Sequence, residues 1–288
     1  MAEASTRTRR ETGPVAVDHT IDQRWSAYTL EEHARWGALT ERMMGILPGR
    51  ASEAFLKAAK TLKLSEGGIP NFERLSDKLK ERTGWRIVGV PGLVPDEVFF
   101  DHLANRRFPA GCFIRDADEM DYIEEPDVFH DVFGHVPLLA DPAYADFMEA
   151  YGKGGLRALN LGRLANLARL YWYTIEFGLI EEMGALRIFG AGIISSPKET
   201  VFALEDDSPN RIGFDLERVM RTNYRIDDFQ QSYFVIDGFE TLLEATLRDF
   251  GPLYERLKDG AAYKPQDVLP TDRVCHKGTQ AYFTNKAG

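Results

Sequence analysis

Residues 126–139 read Pro126-Asp127-Val128-Phe129-His130-Asp131-Val132-Phe133-Gly134-His135-Val136-Pro137-Leu138-Leu139. Two imidazoles lie five positions apart in a mostly apolar run. A buried neutral imidazole still needs partners for both ring nitrogens. On an α-helix, at ~100° per residue, five steps leave the second histidine about 140° from the first. Both can face one point only if the helix ends or bends between them, and Gly134 and Pro137 predict that break. Two readings stay open on this stretch alone. The histidines are a pair of metal ligands, or they sit at a helix end with each ring satisfied by backbone groups.

A second stretch bears on the choice. Leu170-Tyr171-Trp172-Tyr173-Thr174-Ile175-Glu176-Phe177-Gly178-Leu179-Ile180 carries one charge, Glu176. On a helix Glu176 shares a face with Trp172, Tyr173, Leu179 and Ile180. An ionised carboxylate on an apolar stripe is costly unless it is paired or binds a metal. Its structural alternative is an ion pair with Arg169. Two histidines and one glutamate in apolar surroundings make the 2-His-1-carboxylate set, which holds Fe(II) on one face and leaves positions open. Zinc hydrolysis is a competing chemistry, but no glutamate stands between the histidines as general base.

Outward from these motifs, the pattern is mainly helical. Thr29-Leu30-Glu31-Glu32 is a capping box that starts a helix. Further helices are predicted over 53–62, 71–82, 96–103, 161–183, 215–222 and 239–257. Ser196-Pro197-Lys198-Glu199 caps another. Strands are predicted over 85–90, 108–114 and 186–189, and Gly152–Gly155 reads as a glycine-rich loop. Residues 1–20 are expected to be a flexible tail, and 261–288 an extended segment. With no repeat and no internal linker, the fold class is a single domain, mainly α with a few short β-strands.

The 288 residues carry 35 Lys and Arg against 45 Asp and Glu, a net charge of −10, which argues against a nucleic-acid partner. No apolar run approaches the ~20 residues that span a bilayer, which argues against a membrane partner. The N-terminus has arginines without a following apolar stretch, so no secretory signal is expected. Two cysteines, Cys112 and Cys275, make no disulfide framework and fit a cytoplasmic location. No heptad of apolar residues is present after residue 260, so a monomer is expected.

The chain resembles the pterin-dependent aromatic amino-acid hydroxylases, and within them the compact bacterial members that act on phenylalanine. The resemblance covers roughly residues 20–260. It rests on Phe113-Ile114-Arg115, Glu125-Pro126-Asp127 with His130 to Pro137, Tyr171 to Leu179, and Gly190-Ala191-Gly192-Ile193-Ile194-Ser195-Ser196, in family order. It implies a catalytic domain over 21–260, a basket of helices around non-haem iron. The implied activity is that of a phenylalanine 4-monooxygenase, converting L-phenylalanine to L-tyrosine with O2 and tetrahydrobiopterin or another tetrahydropterin. Tryptophan or tyrosine hydroxylation is the alternative within the family, and a non-catalytic helical binding module the alternative outside it. His130, His135 and Glu176 match the iron ligands. Arg115 matches the arginine that grips the substrate carboxylate, with Asp127 holding it, and Trp172 and Ser195 match residues lining the amino-acid pocket. Gly92, Leu93 and Val94 match the loop that meets the pterin edge, and Phe99 the aromatic that stacks on the pterin. Phe100 is adjacent, and a slip of one residue exchanges the two. Asp131 implies a contact with the pterin through water.

Overall fold

In the structure, a computed structural model, residues 13–121, 123 and 125–286 are described. The expected tail therefore falls largely outside them. Its described end lies along the body of the protein. The Asp18 carbonyl meets the His102 Nε2 at 2.9 Å, and Ile21, the next residue after the tail, bridges to Gly89.

Three helices form the outer wall, α1 (Leu30–Ile46), α2 (Glu53–Leu62) and α3 (Phe72–Thr83). A small parallel pair follows, β1 (Arg86–Val90) and β2 (Arg107–Gly111), joined by α4 (Asp96–Ala104). Then come α5 (Pro142–Asn160), α6 (Leu164–Tyr171), β3 (Leu179–Glu182), β4 (Ala185–Ile188), α7 (Ala191–Ile194) and α8 (Pro197–Glu205). The chain continues through β5 (Asn210–Gly213), α9 (Leu216–Met220), β6 (Ser232–Ile236), α10 (Phe239–Thr246), α11 (Gly251–Asp259), β7 (Val274–His276) and α12 (Ala281–Lys286). The larger sheet has the order β4-β3-β6-β5-β7. No helix is long and apolar enough to cross a membrane, among the described residues.

The mainly helical architecture is as expected, with several differences of detail. Gly152–Gly155 is no loop but the middle of α5. A Cβ on Gly152 would meet the Ala104 nitrogen at 2.4 Å, and one on Gly155 would meet the Phe100 ring at 2.0 Å. The glycines are there so that α4 can lie directly on α5. The helix expected over 161–183 stops at Glu176, and its last residues form β3, which pairs with β4 near the strand expected over 186–189. The expected helix 239–257 is two, α10 and α11. The described part of residues 261–288, expected to be extended, contains β7 and α12, whose Phe283 is buried.

The largest difference lies at the histidines. No break separates them, because Phe129–His135 is a π-helix, as is Trp172–Glu176. A π-turn pairs residue i with i+5, so residues five apart return to nearly the same face. Gly134 serves packing instead. A Cβ there would sit 3.1 Å from the Ala191 side chain on α7. Aromatic rings from the wall hold the first π-segment in place. Trp36 meets Phe129 edge-on at 5.3 Å, and Phe55 meets Phe133 at 5.8 Å.

Candidate active site

The two π-segments aim three side chains at one point. His135 Nε2 is 3.2 Å from Glu176 Oε1 and His130 Nε2 is 3.5 Å from Glu176 Oε2. The two Nε2 atoms are 3.1 Å apart. Glu176 does not pair with Arg169, which binds the Met220 carbonyl and Asn223 instead.

Hydrogen balance fixes the direction of the His130 ring. The Ser195 hydroxyl donates its one proton to the Ala191 carbonyl at 2.8 Å. It must therefore accept from His130 Nδ1, 2.9 Å away, which leaves a lone pair on Nε2 facing His135 and Glu176. Burial pushes the His130 pKa down to about 4, keeping the ring neutral. Burial would raise the Glu176 carboxyl, but the imidazoles of His135 and His130 and the Tyr171 hydroxyl bring it down to about 2. His135 Nδ1 is buried without a hydrogen-bond partner.

Asp127, fully buried, ties this centre to Arg115. Its Oδ2 accepts from the Arg115 Nε and backbone nitrogen, and its Oδ1 from Arg115 Nη2, each at 2.9 Å. Oδ1 also accepts from the His130 nitrogen at 3.0 Å. The pair occupies the Nε–Nη2 edge of the guanidinium, leaving Nη1 and the second Nη2 proton outside this pairing. Trp172 stands one turn before Glu176 and gives its Nε1 proton to Gln230 at 2.8 Å.

A cavity of about 250 Å³ opens onto the three ligand-competent groups. Gly92, Leu93, Val94, Phe99 and Asp131 all line it, together with His130, His135 and Glu176. The adjacent phenylalanines are placed differently. Phe99 faces the cavity, whereas Phe100 is buried against α5. Burial raises the Asp131 carboxyl to about 7, although Gly111 donates to its Oδ2 at 2.7 Å. Arg115, Asp127, Trp172 and Ser195 are not part of this lining and approach through their links to the π-segments. Sequence reasoning gave no role to Tyr171, Phe108, Pro109 or Pro126, which also line the cavity. Tyr171 stands five residues before Glu176, the same spacing as the histidines, and that spacing was the available signal.

The model of the biopterin-dependent aromatic amino acid hydroxylases matches residues 3–265. The phenylalanine-4-hydroxylase of Caulobacter vibrioides is 62% identical over 267 residues, which are 93% of this chain and 91% of that protein. The phenylalanine-4-hydroxylase of Chromobacterium violaceum is 52% identical over 91% of this chain and 89% of its own.

The chain belongs to the biopterin-dependent aromatic amino acid hydroxylases.

Among solved structures of this family, the iron- and phenylalanine-bound phenylalanine hydroxylase of Chromobacterium violaceum superimposes with a TM-score of 0.86 at 52% identity. The match covers 90% of this chain and 94% of that one. The donor set of this hydroxylase can be tested for a metal on its own geometry. Two ligands at about 2.0–2.1 Å from one ion, at right angles, stand about 3 Å apart. The three separations here, 3.1, 3.2 and 3.5 Å, are close to that value on every edge. The two carboxylate distances end on different oxygens of Glu176, so the two imidazole nitrogens and the carboxylate close around one point that a cation can occupy. Asp131 also lies close, and one of its carboxylate oxygens and a ring nitrogen of each histidine fall within 4.8 Å of one another. Its Oδ2 is engaged by Gly111, so Glu176 completes the set better.

Proposed function

We propose that the protein is a phenylalanine 4-monooxygenase that converts L-phenylalanine to L-tyrosine with O2 and a tetrahydropterin. The observation that carries this is the facial set His130, His135 and Glu176, floor of a cavity lined by every residue expected to touch the pterin. In this reading the three side chains hold Fe(II), with Ser195 setting the His130 tautomer. Bound iron and reduced pterin supply the activation of O2, which no protein side chain provides.

The remaining residues bind and orient. The Nη1–Nη2 end of Arg115 takes the substrate carboxylate, and Asp127 keeps the guanidinium aimed there. Trp172 forms a wall for the substrate ring. The backbone of Gly92 to Val94 meets the pterin edge, Phe99 stacks on its face, and Asp131 contacts it through water. The apolar walls exclude bulk water from the reacting centre. Cys112 and Cys275 form no disulfide, and α12 folds back onto its own chain through Asp228. Both features support a monomeric cytoplasmic protein.

The test is tyrosine formation by metal-stripped protein, with Fe(II) and tetrahydrobiopterin added back singly and together. Activity only with both is expected. Tryptophan and tyrosine are offered in parallel, and preferred hydroxylation of either would replace phenylalanine in this reading. Light scattering near 32.6 kDa is expected for the monomer.

A further inference from the structure

The indole of Trp172 is held from several directions. It stacks on Tyr224, with ring centroids 4.4 Å apart and planes 16° from parallel, and leans on Phe177 at 4.7 Å. Its Nε1–H donates to Gln230 Oε1 at 2.8 Å. Gln230 is only 2% exposed. Its Nε2 donates to the carbonyls of Arg225 at 3.0 Å and Asp228 at 3.3 Å. Turning the amide over would set its oxygen against two carbonyls and its nitrogen against the indole N–H, so only one orientation satisfies the four groups.

The loop carrying Gln230 is fixed at both ends. On one side the Gln230 nitrogen donates to Glu199 Oε1 at 3.4 Å, and the Tyr233 hydroxyl donates to the same oxygen at 2.8 Å. On the other side Asp228 accepts from the Tyr282 hydroxyl at 3.0 Å and from Lys286 Nζ at 2.9 Å, both on α12. An acceptor on a loop this well anchored can decide which way the indole plane lies.

We infer that Gln230 is a positioning residue for the aromatic substrate. By fixing the plane of Trp172, it sets the wall against which the substrate ring lies, and with it the ring carbon offered for hydroxylation. This rests on the reading that Trp172 lines the amino-acid pocket.

The experiment compares wild type, W172F, Q230N, Q230M and the two double variants, all iron-loaded. Measured are the phenylalanine KM, the tyrosine formed per pterin oxidised and the ratio of para- to meta-hydroxylated product. Phenylalanine binding by calorimetry without pterin is the readout independent of turnover. Asparagine is one methylene too short to reach the indole, and methionine has the length without the amide. Loss of one neutral hydrogen bond corresponds to about a three- to tenfold change. That rise is expected in both KM and Kd for Q230N and Q230M, with fewer tyrosines per pterin and more meta product. The pterin KM is expected to stay as in wild type. In W172F the phenyl ring has no N–H to lose, so either Gln230 change should add less than about twofold. Equal effects in both backgrounds would make Gln230 a packing residue and overturn the inference. So would a raised KM in W172F beside unchanged binding in Q230N and Q230M. An unchanged KM in W172F would remove Trp172 from the pocket, and this inference would go with it.

Discussion

The outer wall and the inner π-segments are both helical, yet they are held by different forces. In α1 the Thr29 hydroxyl accepts from the Glu32 nitrogen at 3.1 Å, and the Thr29 nitrogen donates to the Glu32 carboxylate at 2.7 Å. Ser52 and Asn71 cap α2 and α3, and Gly84 closes α3 at φ 78. The residues directly before Phe129–His135 and Trp172–Glu176, Val128 and Tyr171, make no side-chain cap. Rings from α1 and α2, the Asp127 carboxylate and the packing of α7 hold the two segments instead. The wall is stable by local rules, and the site is stable because its surroundings over-determine it. Changes in the site should therefore remove function while the fold remains, and changes in the wall should do the reverse.

The sharpest way to break this contrast is to remove a metal-facing group. Glu176→Ala, His130→Ala and His135→Ala are each expected to lose bound iron and nearly all tyrosine formation. The loss should exceed the ~10–100-fold that removing an outer partner of a metal ligand typically causes. Far-UV circular dichroism should stay native. Full iron occupancy by elemental analysis in any one variant would take that residue out of the metal set.

Next in size is the carboxylate grip. Arg115→Lys keeps the charge but cannot hold Asp127 with one edge and a ligand with the other. Losing one charge-assisted bond is worth roughly 1.5–3 kcal/mol, so the phenylalanine KM should rise about tenfold or more. An unchanged KM in steady-state kinetics would detach Arg115 from the substrate.

A third prediction probes the boundary between the two regions, where α8 meets β6. Burial pushes the Glu199 carboxyl up from 4.5 to about 8, against the hydrogen bonds from Tyr233 and Gln230. As pH rises between those values, the unfolded chain releases this proton while the folded one keeps it. Stability should therefore fall through that window, with a slope of at most about 1.4 kcal/mol per pH unit. Glu199→Gln should flatten that part of the decline. Urea midpoints at pH 5, 6, 7 and 8 measure it, and parallel curves for the two proteins would show that Glu199 ionises normally.

The smallest effect belongs to the wall. Thr29→Ala removes an N-cap and should lower stability by about 1 kcal/mol while kcat and KM stay as in wild type. A loss of activity without a lower urea midpoint would show that the wall reaches the site in a way the contrast denies.

How much of this was legible follows the same division. The wall helices announce themselves by their caps, which lie within a few residues of the groups they satisfy. His130, His135 and Glu176 stand out because charge and imidazole are costly among apolar neighbours. The π-turns left no signature in residue type, since their residues would suit an α-helix equally well, and packing from distant elements decides. The five-residue spacing was visible but was explained by a break at Gly134. Gly152 and Gly155 were misread because the residue that permits a loop also permits two helices to touch. β6 was missed although Tyr233-Phe234-Val235-Ile236 has strand composition, and all four residues are buried. Tyr171 has no role legible in the sequence because a tyrosine in an apolar run shows its function only through what its hydroxyl meets.

A π-turn amounts to an α-turn with one residue inserted, and this has a consequence for how the segment can change. Deleting any single residue between His130 and His135 would restore ordinary helical pitch and leave the histidines four apart. Everything after the deletion would then rotate by ~100° about the helix axis. Val136, Leu138 and Leu139, now buried, would be carried away from the core they fill. Side chains along this stretch can be exchanged one at a time, each at its own cost, whereas its length cannot drift by even one residue. The count of residues from Asp127 to Pro137 is thus a stricter inheritance than most of the letters within it.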